Sequence, residues 1–210
     1  MCVQKSYFFR VTPSDRDAAQ NLAFYLTTQL KQQKVAVFYN PNSNYSNSMQ
    51  DEFRKSFSTS QVKVVKNFDL SLPSFIAREA IDQAQKEGAT VLVLIPDGQT
   101  NAFAFNNSLK VINASNGSFL MVGASALYSP EVLQLLKPEL ASRFTQQVAW
   151  HNLSSPNSMF SLAANQLWGG EVSWRTALVY DATSTLITAL RKLPQANRID
   201  VKNALADPKF

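Results

Sequence analysis

Cysteine and histidine each occur once in this 210-residue chain, as Cys2 and His151. A single cysteine excludes an internal disulfide and a cysteine-based metal site. A Ser–His–Asp triad or a histidine metal centre would have to be built around His151 alone. That residue lies in WHNLSSPNS, a loop-like stretch that offers local hydrogen bonds and no catalytic partner. Glycine is scarce as well: six in all, and none before Gly88. Dinucleotide and P-loop sites need glycines so that backbone N–H groups can approach phosphate oxygens closely. Both classes are therefore excluded from the first strand–loop–helix segment. The nucleophile elbow is missing too, because Gly123-Ala124-Ser125-Ala126 lacks its second glycine. These absences predict no enzyme, no metal and no cofactor.

Other absences limit the partners. No stretch approaches the roughly 20 apolar residues of a membrane helix. The opening MCVQKSYFFR has no apolar h-region, so an export signal would lie outside this sequence. Cys2 reads as part of a frayed terminus. The net charge of +5 is scattered over pairs such as Arg54-Lys55 and Arg191-Lys192. Without a basic block or an aromatic–basic motif, no nucleic-acid partner is expected.

What is present is a folded core with a beat. Apolar residues make up 45% and charged residues 17%, a globular balance. β-forming runs occupy 35–39, 62–65, 90–95, 119–122 and 148–150, starting 27 to 29 residues apart. That spacing is one β-α step, and helix-period patterns lie between the runs. Met49, Phe53 and Phe57 share one helix face, as do Ile76, Ala80 and Ala84, and Ala102, Phe105, Leu109 and Ile112. Gly88 and Asn116-Gly117 terminate the second and third of these helices. TVLVLI is apolar at nearly every position, as a central parallel strand covered on both faces requires. The fold class is α/β: a doubly wound parallel sheet with right-handed crossovers.

Two flanks do not belong to that sheet unit in this reading; they either pack on the sheet or belong to a second lobe. One is residues 1–33, an extended YFFRVTPSD followed by a helix capped by Ser14 or Asp15. The other follows His151: connecting loops over 151–171, marked by Pro156 and Gly169-Gly170, then a long helix over 173–193. Leu178, Ala182, Leu186, Ala189, Leu190 and Leu193 form its apolar side, and a short helix follows at 200–206.

Ligands in open α/β sheets bind beyond the carboxyl ends of the strands. The post-strand loops there carry hydroxyls, amides and rings: Tyr45, Ser46, Asp97, Ser125 and Tyr128. Such groups hold a small polar molecule by hydrogen bonds and a ring face. The local alternative is that Ser46 caps a helix and Ser125 satisfies its own loop. Tyr45, set among Asn, Ser and Pro, has little core to join.

Taken together, FFRVTPSD, KVAVFYNPNSNYSNS, DEFRKSF, VLVLIPD, FLMVGASALYSP and WRTALVYDATSTLITAL resemble the type I periplasmic binding proteins. These are the extracellular ligand-binding receptors of branched-chain amino acid ABC transporters. The wording is most similar to cyanobacterial members, some of which are fused to Ser/Thr kinases. The resemblance implies two Rossmann-like lobes closing on a ligand. It implies that an N-terminal stretch of lobe one is missing. Residues 34–150 would then be lobe two, 151–171 the crossover, and 1–33 and 172–210 parts of lobe one. It assigns Tyr45 to a tyrosine that closes over the ligand, with Ser46 in place of the family's glycine. Pro96-Asp97 match a cleft-lining loop. Ser125 falls where amino-acid binders place an acid, a departure that leaves Asp97 as the replacement charge. Arg10 and Asp181 lie near the hinge, as an ion pair or as ligand contacts. The implied partners are an amino-acid-like solute and an ABC permease or fused signalling domain, with a homodimer through exposed lobe-one surfaces. The implied location is periplasmic or extracellular. The alternative is a degenerate or regulatory interaction domain that keeps the fold without a ligand, or the sensor of a receptor kinase.

Overall fold

The computed structural model describes residues 7–58, 62–98, 103–154, 158–170, 172–193, 195 and 197–207. Cys2, Ala102 and Pro156, and the end of the Pro96–Thr100 loop, lie outside the described residues. The chain divides into two compact units, Ser14–Val148 and a second made of Met1–Pro13 with Ala149–Phe210.

The first unit is the doubly wound sheet. Its parallel strands are β1 (Lys34–Tyr39), β2 (Lys63–Asp69), β3 (Val91–Ile95), β4 (Leu120–Gly123) and β5 (Phe144–Gln146), in the order β2-β1-β3-β4-β5. Side chains alternate across a strand, and here the alternation separates two cores. Ala36, Phe38, Leu92, Leu94 and Met121 face α3 (Ala77–Lys86) and α4 (Phe103–Ser115). Val35, Val37, Val91, Val93, Ile95 and Val122 face α1 (Asp15–Phe24) and α2 (Asn44–Ser58). All five residues of β3 are buried, as its unbroken apolar run requires. Phe38 stacks on Phe68 with ring centroids 4.5 Å apart, adding an aromatic pair to the area buried.

Local signals set the element ends. Ser14 caps α1 through a reciprocal box: Asp17 N–H donates to Ser14 Oγ (3.1 Å) and Ser14 N–H to Asp17 Oδ2 (2.8 Å). Gly88, at φ +76°, and Asn116-Gly117, at φ +46° and +74°, turn the chain out of α3 and α4 in the left-handed region.

Three expectations need correction. The helix after YFFRVTPSD belongs to the sheet unit. Ala19, Leu22, Ala23 and Leu26 are buried with Val35, Met49 and Phe53, so the compact unit starts at Ser14. The fifth strand is Phe144–Gln146 rather than 148–150. Beyond the short helices α5 (Pro130–Leu135) and α6 (Pro138–Ala141), the stretch read as connecting loops contains α7 (Met159–Trp168), capped by Ser158 and ended by Gly169 at φ +66°.

In the second unit, α7 and α8 (Trp174–Arg191) share an aromatic contact between Phe160 and Tyr180, 4.7 Å between centroids, and Phe160 also meets Trp150 at 5.8 Å. Of the apolar side expected along α8, Ala189 is buried, whereas Leu186 and Leu190 remain 45% and 41% exposed. α9 (Arg198–Ala206) completes the unit.

Candidate functional site

The strand order places a topological switch between β1 and β3, where ligands of open α/β sheets bind. Asn40 follows β1 and Asp97 follows β3 by two residues. Asn40 Nδ2 donates to Asp97 Oδ2 at 2.8 Å, bridging the switch. The Asn40 side chain also closes its own turn, because Asn42 N–H donates to Asn40 Oδ1 at 2.9 Å. Asn40 is thus fixed at both ends and holds one oxygen of Asp97. The other oxygen, Asp97 Oδ1, is buried with no hydrogen-bond partner among the described residues. An unmatched buried acceptor costs about 1–3 kcal/mol, so a donor brought to it gains that much. Asn40 was not anticipated. Its signal was an amide directly after the last strand residue and before a proline.

Tyr45 does not sit in a loop. α2 begins at Asn44, and Ser43 Oγ accepts from Ser46 N–H at 3.3 Å across the first turn. Tyr45 therefore projects from a helix start, and its ring packs against the core formed by α1, α2 and the sheet. Its hydroxyl lies 3.2 Å from Ser125 Oγ, in the loop after β4. Burial pushes the Tyr45 hydroxyl above its ordinary pKa. The Ser125 hydrogen bond partly offsets that, and the negative charge of Asp15 adds to it.

Ser46 is not a cap, because it lies inside the first turn of α2. It is wholly buried: its hydroxyl donates to the Ile95 carbonyl and accepts from Asn40 N–H at 2.7 Å. It is a cross-brace that ties α2 to the ends of β1 and β3. Pro96 is buried. Tyr128 is half-buried at the close of the turn that starts at Ser125, and its N–H donates to the Ser125 carbonyl at 3.1 Å. Gln146 steadies that turn from β5, donating to the Leu127 carbonyl at 2.5 Å.

A second acid, Asp69 at the end of β2, is consumed locally: its Oδ1 accepts from Ser71 N–H (2.7 Å) and Ser71 Oγ (2.6 Å). This leaves Asp97 as the strand-end acid with an unmatched oxygen. Arg10 and Asp181, both exposed in the other unit, form no salt bridge with each other. His151 is engaged locally, its Nδ1 accepting from Leu153 N–H at 3.1 Å.

The family model for periplasmic binding proteins matches residues 2–210. Solved structures share the fold at low identity. A leucine-binding protein from Thermotoga maritima is 17% identical with a TM-score of 0.76, covering 97% of this chain and 57% of its own. A branched-chain amino acid transporter substrate-binding protein from Streptococcus pneumoniae, in complex with isoleucine, is 20% identical with a TM-score of 0.73, covering 95% and 56%. An ABC transporter substrate-binding protein from Desulfitobacterium hafniense is 17% identical with a TM-score of 0.73, covering 94% and 55%. None of these three is cyanobacterial. No curated protein sequence matches. The chain spans a little over half the length of these structures. By the near-complete family match, the chain belongs to the periplasmic binding protein family.

Proposed function

We propose that this chain is the solute-binding part of a non-catalytic receptor for transport or sensing, and that it takes a small polar, amino-acid-like solute. The observation that carries this is the convergence of Asn40, Tyr45, Asp97 and Ser125 at the switch point through two cross-loop hydrogen bonds. On this reading the sheet unit is lobe two, and the second unit contributes parts of lobe one and the hinge with Arg10 and Asp181. Tyr45 closes over the solute, Ser125 and Tyr128 line the wall, and Asp97 receives a donor. The isoleucine-bound Streptococcus structure supports an amino-acid ligand by likeness of fold. An ABC permease or a fused signalling domain would receive the loaded form outside the cytoplasmic membrane.

The test is a thermal-shift and calorimetric panel of amino acids and related solutes. At least one solute is expected to raise the melting temperature, and Tyr45→Ala is expected to abolish that shift. A flat response across the panel would sink the proposal.

A second reading, a regulatory domain without ligand, is favoured by one observation. The Tyr45 hydroxyl is already paired with Ser125, and Ser46 is fully engaged. It expects the flat panel, together with a Tyr45→Ala chain that loses stability but no binding.

A further inference from the structure

The loops at the carboxyl edge of the sheet are almost free of charge, in a chain of net charge +5. Residues 40–43, 70–76, 96–98 and 124–129 hold a single formal charge, that of Asp97. The first two turns of α1 to α5 do contain bases, namely Arg16, Arg78 and Lys110, but each is turned onto a partner. Arg16 Nε lies 3.8 Å from Glu52, Arg78 Nε lies 3.5 Å from Asp82, and Lys110 Nζ donates to Asn107 Oδ1 at 2.9 Å. No base is thereby left to face Asp97 from these elements. Buried charges are paired as a rule, yet Asp97 Oδ1 is buried and has no partner among the described residues. The groups that share its loops are neutral, Asn40, Tyr45 and Ser125, and the charge of Asp15 felt at Tyr45 is negative as well. The member missing from this arrangement is a cation.

We propose that the sheet unit selects solutes by a compact cationic head that bears N–H groups, a protonated amine, and turns away carboxylate heads and fully alkylated ammonium. The inference rests on the solute-binding reading above and narrows it by charge. One N–H of the head donates to Asp97 Oδ1 in a charge-assisted bond. Asn40 Nδ2, 2.8 Å from Oδ2, already holds the other oxygen, so the carboxylate is oriented before the head arrives. Asp97 as a whole is only part-buried, which leaves it within reach of a small head. The hydroxyl oxygens of Tyr45 and Ser125 offer further acceptors in the same set of loops. A carboxylate head would meet a like charge and no free base there. A quaternary ammonium would bring the charge but no donor for the unmatched oxygen.

Three probes with one tail separate the heads: butylammonium, butyltrimethylammonium and butyrate, added to the whole chain at equal ionic strength. Nuclear magnetic resonance of the Asn40 side-chain amide and the Gly98 and Ser125 backbone amides reads the site. Butylammonium is expected to shift these signals saturably, with the other two probes weaker by at least about tenfold. Asp97→Asn keeps an acceptor for Asn40 and removes the charge, and should bind butylammonium no better than butyrate. Should that variant lose its circular dichroism, the three-probe comparison on the unaltered chain decides alone. No saturable butylammonium shift, equal binding of the three heads, or undiminished binding by a folded Asp97→Asn chain would each overturn the proposal. A solute from the amino-acid panel that binds as well without its amine overturns this inference and leaves the solute-binding reading standing, whereas a flat panel sinks both.

Discussion

The Tyr45 hydroxyl and the Ser125 hydroxyl meet at 3.2 Å, linking the first turn of α2 to the turn after β4 across 80 residues of chain. Neither side chain carries a charge, so the link tolerates exchange for a solute hydroxyl, amide or ammonium. Tyr45→Phe keeps the ring and its packing and deletes the link. In solution binding by calorimetry it should weaken the solute identified by the panel by roughly tenfold, the worth of one hydrogen bond to a charged group.

The same variant has a pH signature. Burial raises the Tyr45 hydroxyl above its ordinary value of 10.0 in the folded chain. The unfolded chain therefore releases this proton first as pH rises. Stability attributable to the neutral phenol is intact below pH 10 and declines from there to the raised folded value. Urea denaturation at stepped alkaline pH should show a shallower loss for Tyr45→Phe than for the unaltered chain. Parallel slopes would refute the assignment.

Ser46→Ala tests the brace beneath the site. It strands the Asn40 N–H and the Ile95 carbonyl in a wholly buried position. The expected loss is about 1–3 kcal/mol, read as a drop of several degrees in melting temperature. An unchanged melting temperature would show that the hydroxyl is dispensable.

Gly123→Ala tests the close packing of the β4 end. A Cβ there would lie 2.9 Å from Phe144 Cζ and 3.0 Å from Leu127 Cδ1. Both neighbours sit in the core around β4 and β5 and can give only by shifting their own contacts. Destabilisation of about 1–3 kcal/mol is expected by denaturant titration, as for overpacked cores in general.

Ser14→Ala removes the reciprocal cap that starts α1 and hence the start of the sheet unit. A loss of about 0.5–2 kcal/mol should appear in the same titration. Ser14→Gly should cost only a few tenths, which separates the cap from a general intolerance at the position.

The β-α beat was legible because β1, β3 and β4 are dense apolar runs, as their burial on both faces demands, while the edge strand β2 showed itself through Val64 and Val65. The fifth strand was not. Phe-Thr-Gln forms a short edge with every residue half-buried, and the more apolar 148–150 drew the assignment away. The helix over 159–168 escaped because its large apolar residues Met159, Leu162 and Leu167 are exposed and trace no inward stripe. That α1 joins the sheet unit depends on contacts with residues tens of positions later, which periodicity cannot report. At the site, Tyr45, Asp97 and Ser125 were readable as chemistry at strand ends. The role of Ser46 was hidden because a hydroxyl looks alike in sequence whether it faces a cleft or braces two strands. Asn40 was hidden because its importance lies in a partner 57 residues away.

The sheet's two outer strands carry a further meaning. β2 has exposed Lys63 and Lys66, and between them its pairing with β1 skips Val65, so that edge is both charged and kinked. β5 offers only three residues. Neither margin presents a flat ladder of the kind on which strands of another chain nucleate. The aliphatic surface exposed on the helices is thus kept apart from any sheet edge on which fibril growth through backbone pairing could start.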